Sequence, residues 1–91
     1  MAFISQSKTT EFKINRDDYK VVEIQLGANI HLGIVLCVRQ RWGWKEDIFR
    51  IESDIVQFTG ISQSDVRAQC TEWVRITASP DFTIAFDADL N

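Results

Sequence analysis

Trp44-Lys45-Glu46-Asp47-Ile48-Phe49-Arg50-Ile51-Glu52-Ser53-Asp54-Ile55-Val56-Gln57-Phe58 is the stretch on which the fold turns. Read at the helical period, Trp44, Ile48, Ile51, Ile55 and Phe58 fall on one stripe. Glu46 and Arg50 make a favourable i,i+4 pair, and Glu46 and Asp47 suit the positive end of a helix dipole. Read at the strand period, Phe49, Ile51 and Ile55 lie inward, Ser53 lies among them, and Ile48 and Val56 go to the wet side. The helical reading leaves fewer misplaced residues and is preferred, giving a helix over 45–58.

The flanking sequence is easier to read. Thr10, Phe12 and Ile14 alternate with Glu11 and Lys13, which is the period of a half-buried strand. Asn15-Arg16-Asp17-Asp18 is a turn cluster, so Lys20–Leu26 returns as the second arm of a hairpin. Gly27-Ala28-Asn29 turns again. In the strand that follows, Ile30, Leu32, Ile34, Leu36 and Val38 face one way, and His31, Gly33, Val35, Cys37 and Arg39 face the other. Apolar residues on both sides near Val35–Cys37 suit a central strand.

Beyond Gly60, expected as a left-handed helix cap, Ser62 is a good N-cap for a helix over 62–76. Asp65 takes the capping-box position, and Ile61 and Val66 take the two staple positions. Val66, Cys70, Trp73 and Val74 form its apolar stripe. Phe82, Ile84 and Phe86 alternate as a short last strand over 82–86. The expectation is a single α+β domain over 1–91, with residues 1–8 frayed, strands within 9–39, and an antiparallel sheet of three to four strands with two helices in the order β-β-β-α-α-β.

Composition bounds the function. The chain has 91 residues, three Trp, one Tyr, six Phe and a net charge of −3. A domain of that size buries enough apolar surface to fold without staples, and its charge disfavours binding to nucleic acid by bulk attraction. Cys37 and Cys70 read as buried free thiols of a reducing compartment. No signal sequence or membrane span is legible, so the expected place is the cytoplasm.

No catalytic or metal constellation is apparent. His31 is the sole histidine and has no nucleophile marked near it. His31, Cys37 and Cys70 contain no close ligand pair. There is no Gly-rich phosphate loop. No enzyme, cofactor, metal or small-molecule substrate is therefore expected.

Two stretches point to binding. Arg39-Gln40-Arg41-Trp42-Gly43-Trp44-Lys45 interleaves cations with indoles. Arg39, Arg41, Trp42 and Lys45 are the residues expected to meet a partner, either a protein hot spot or single-stranded nucleic acid. Trp44, on the helical stripe, is expected to be buried.

The second stretch is Asp54-Ile55-Val56-Gln57-Phe58-Thr59-Gly60-Ile61-Ser62-Gln63-Ser64-Asp65-Val66, which resembles helix–turn–helix DNA-binding domains. The resemblance implies that Gln63, Ser64 and Arg67 read bases. It departs from that family in having Val56 where alanine is usual at the helix crossing. A four-strand-then-helix reading resembles the single-stranded-DNA-binding coactivator folds in element order alone. The favoured function is a non-enzymatic regulatory or interaction module that binds another protein or itself, with the DNA-binding regulator as the alternative.

Overall fold

The computed structural model describes residues 6–43 and 48–86. Four strands form one antiparallel sheet in the order β1-β2-β3-β4: β1 (Gln6–Ile14), β2 (Asp17–Gly27), β3 (Ile30–Gly43) and β4 (Ile48–Gly60). One helix, α1 (Gln63–Thr77), follows. The α+β class expected from the sequence holds, in the order β-β-β-β-α.

The hairpin turn between β1 and β2 places Asn15 at φ 57, a left-handed conformation that Asn adopts more readily than most residues. The register between β2 and β3 shifts between Gln25 and Gly27, leaving Leu26 as the unpaired residue of a bulge. β3 then pairs with β4 along its length, from His31↔Gly60 to Gly43↔Ile48.

The helix expected over 45–58 is therefore corrected. Residues 48–60 are strand β4, and residues 44–47 lie outside the described residues. The reason is a shared period. A spacing of four, as between Ile51 and Ile55, keeps two residues on one face of a helix and equally on one face of a strand. Val56 and Phe58 pack toward the core while Ile51 and Ile55 lie on the opposite face. A strand with apolar residues on both faces removes the objection that one apolar set is misplaced. Its content of Ile, Val, Phe and Thr also favours a pleated surface.

α1 fulfils the expectation nearly to the residue. Ser62 caps it, its Oγ accepting from the Asp65 backbone N–H at 3.1 Å. Val66, Cys70 and Val74 are buried on the sheet side, and Trp73 is half-buried against the same core. The staple is corrected, because Ile61 is 74% exposed. Gly60 does not take a positive φ either. It ends β4, and a Cβ there would lie 2.4 Å from Asp65 Oδ2.

α1 rests on the face that carries His31, Gly33, Val35 and Cys37. The small residues admit it: a Cβ on Gly33 would stand 2.4 Å from Val66 Cγ1 and 2.9 Å from Cys70 Sγ. Residues 82–86 do not form the expected strand. They run over the helix-side face of the sheet, where Phe82 stacks on Phe12 at 5.1 Å and Phe12 on Tyr19 at 5.2 Å. Ile84 is buried there. Arg75 holds the segment, its Nε donating to the Phe82 carbonyl at 2.9 Å and its guanidinium to Thr83 Oγ1 at 3.1 Å. The expected fraying over 1–8 is corrected in part, since β1 begins at Gln6.

Candidate functional site: the open face of the sheet

The side of the sheet away from α1 is also apolar. Cross-strand partners in an antiparallel sheet share a face. The register therefore sets Val22 with Ile34, Ile24 with Leu32, and Leu36 with Ile55 on this open side. Val38 and Ile51 continue the same stripes. Val22, Ile24, Leu32, Ile34, Leu36 and Val38 are half-buried by one another. Towards the β4 edge the cover falls away: Ile51 is 68% and Ile55 70% exposed. Among the described elements none crosses this face, because α1 and residues 82–86 both lie on the other.

Its β1 margin is charged. Lys13 pairs with Asp18 at 3.3 Å and Lys20 with Glu11 at 3.4 Å, both directly across the β1–β2 ladder. These four residues, with Leu36 and Val38, border an open depression of ≈ 500 Å³. An apolar field with a polar margin is the anatomy of a protein interface.

The helix-side face carries the charged residue that sequence reasoning missed. Glu23, 2% exposed, accepts from Arg67 Nε at 2.6 Å, from the Arg67 guanidinium at 3.1 Å and from Gln63 Nε2 at 3.0 Å. The Arg67 guanidinium also lies over the Phe86 ring at 4.6 Å. Two of the residues expected to read DNA, Gln63 and Arg67, are thus bound to the sheet, while Ser64 is exposed. With β4 in place of the first helix, the helix–turn–helix arrangement is absent from the described residues. Glu23 gave some sign of itself as the acid within Val21–Ile24, but its partner, 44 positions away, gave none.

Arg39 sits at the root of the β3–β4 ribbon. It bonds Asp54 and lies 3.7 Å from Asp17, tying β2, β3 and β4 together. The Asp54 carboxylate raises its pKa further. Arg41 and Trp42 stand further along β3, opposite Arg50 and Phe49. Lys45 and Trp44 lie outside the described residues.

Cys37 and Cys70 are both buried free thiols. Burial, assisted by the nearby Glu23, pushes the Cys70 thiol up to about 11. Burial and a hydrogen bond with Cys37 push the Tyr19 hydroxyl up to about 12. His31 is buried under the helix. Among the described residues no group of three His, Cys, Asp or Glu side chains could hold a metal ion, and no helix is long and apolar enough to cross a membrane.

Fold and site together define a class: among the described residues, a four-stranded antiparallel meander with one helix on one face and an apolar face on the other that no described element covers. No protein-family model, curated protein or solved structure matches the chain.

Proposed function

We propose that this chain is a non-enzymatic interaction module that self-associates, two copies packing open face on open face. The observation that carries the reading is the uncovered stripe of Ile30, Leu32, Ile34, Leu36 and Val38 on β3, flanked by Val22 and Ile24 on one side and Ile51 and Ile55 on the other.

Three physical points favour a second copy as the occupant. The first is size. Nine residues of strand by four strands give a footprint on the order of 600 Å² before corrugation, near the roughly 800 Å² per partner of a stable interface. The second is charge. The margin holds Lys13 and Lys20 against Glu11 and Asp18, so two like copies meet with no net local repulsion despite the overall charge of −3. The third is shape. Two twisted sheets pack face to face with strands about 30° apart, burying alternating side chains of both, and a two-fold axis lets one patch serve twice.

Sedimentation velocity with light scattering tests the reading. The wild-type chain is expected as a dimer. Ile55→Lys, at a position exposed enough to leave the fold intact, is expected to run as a monomer with an unchanged circular dichroism spectrum. A wild-type chain that stays monomeric at high concentration removes the proposal.

A further inference from the structure

We propose that the β4 edge and the groove between β4 and α1 bind an extended peptide segment of another protein, which adds as a further strand and sets apolar side chains, with a basic residue beside them, over the groove. β4 ends the strand order, with β3 on one side and no described strand on the other. In an antiparallel pair, alternate residues turn both backbone groups away from the neighbour. The Thr59 carbonyl accepts from Gln69 Nε2 at 2.9 Å, which marks residue 59 as one of them. The strand period then puts Ile55 and Gln57 in the same set. Edges that stay unpaired are commonly blunted by charge or proline. β4 carries Glu52 and Asp54, but Ile55-Val56-Gln57-Phe58-Thr59-Gly60 holds neither charge nor proline over about 20 Å of strand.

That uncharged stretch borders the groove. Phe58, Ala68, Trp73 and Ile76 supply its apolar wall, and Gln69 and Glu72 its polar rim, around ≈ 490 Å³ of open space. Phe58 and Trp73 are half-buried against the core, and Ile76 is 75% exposed. Cross-strand partners share a face. A residue of the added strand opposite Val56 or Phe58 therefore points to the helix side, over the groove, and its neighbours point away. The occupant this geometry fits has apolar residues at alternate positions: backbone hydrogen bonds hold it, and the groove selects its side chains. Glu72 is exposed and has no ionic partner among the described residues, so the rim favours Lys or Arg in the peptide. A second copy of the chain fits less well. Two-fold pairing of β4 with β4 leaves both helices on one side of the sheet and brings a second Glu72 to the groove, while residues 51–60 offer no cation to meet it. The inference stands apart from self-association through the open face, since the groove lies on the α1 side.

Selection of random octapeptides displayed on phage against the full chain tests it, followed by fluorescence anisotropy of the enriched peptides and by amide hydrogen exchange. The enriched peptides are expected to alternate apolar residues and to carry Lys or Arg. Binding is expected to slow exchange at the Ile55, Gln57 and Thr59 amides and to leave Val56 and Phe58, whose amides face β3, nearly unchanged. Ile76→Ser, at an exposed position that leaves the fold intact, is expected to weaken binding roughly 10-fold, the lower end of what covering one aliphatic side chain contributes. Glu72→Gln is expected to weaken it roughly 1.5- to 5-fold, as loss of an exposed ion pair does, and by less as salt rises. Both variants are expected to keep the circular dichroism spectrum of the wild type. Failure to enrich any peptide overturns the proposal, as does undiminished binding by Ile76→Ser or protection that falls elsewhere than on alternate β4 amides. If exchange at those amides slows with protein concentration alone in Ile55→Lys, whose open face is blocked, a second copy holds the edge and the proposal falls.

Discussion

Cys70 shows how one residue couples core packing to pH. Its thiol lies against Gly33 in the layer between α1 and β3, fully removed from water, and burial raises its pKa from 9.0 to about 11. Below pH 9 the thiol is neutral both folded and unfolded, and its contribution to stability is present in full. As pH rises from about 9 to about 11 the unfolded chain loses the proton while the folded chain keeps it, so stability falls. A difference of that size corresponds to about 3 kcal/mol at most. Tyr19, raised from 10.0 to about 12, acts in the same direction over a slightly higher window. Urea unfolding from pH 8 to 11 is expected to show the midpoint falling in the wild type and falling less in Cys70→Ala. Equal slopes for the two proteins would show that the thiol does not carry the effect. Gly33 itself was half legible. A glycine inside a strand signals close approach by something, but no local feature says that the visitor is Val66 of a helix more than thirty positions later.

Among the elements, legibility followed how local the signal is. β1, β2 and β3 were legible because polar turns separate alternating runs, and α1 because Ser62, Asp65 and the Val66-Cys70-Val74 stripe sit within one segment. β4 was not, because Ile51 and Ile55 satisfy both periods and the deciding fact, an unpaired edge on β3, lies elsewhere in the chain. The open-face stripe on β3 was legible as a stripe. Which side α1 would cover was not, since that depends on the small residues Gly33, Val35 and Cys37 across the strand. The contact that fixes α1 on the sheet is Glu23–Arg67, with both side chains largely withdrawn from water. Removing one member leaves a buried charge without its counterion, so Arg67→Ala is expected to cost about 3–5 kcal/mol. The double change Glu23→Met with Arg67→Met, which removes both charges, is expected to recover most of that. Lys13→Ala breaks the exposed Lys13–Asp18 pair, at 3.3 Å, and is expected to cost under about 1 kcal/mol. Chemical denaturation of the four proteins checks the order. An Arg67→Ala loss no larger than that of Lys13→Ala would show that α1 is held by its apolar stripe alone.

At the scale of the whole molecule the question is where a 91-residue chain finds enough burial. Among the described residues, α1 and the segment 82–86 cover one face of the four-stranded sheet, and small domains have little surplus stability to spare. The other face holds Val, Ile or Leu residues in every described strand but β1, which instead carries Thr9 and the charged margin. Self-association would remove that face from water and add the burial that one copy lacks. Stability then depends on concentration. Because a dimer loses partners as it unfolds, each tenfold rise in protein stabilises the assembly by about 1.4 kcal/mol of dimer, and the melting temperature climbs with the logarithm of concentration. Ile55→Lys is expected to melt lower and at a temperature independent of concentration, since its unfolding releases no partner. A wild-type melting temperature that does not move with concentration, together with monomeric mass, would mean that the open face waits for a different protein. In that case Ile55→Lys would leave stability almost unchanged, because an exposed isoleucine on a solitary sheet contributes little to its own fold.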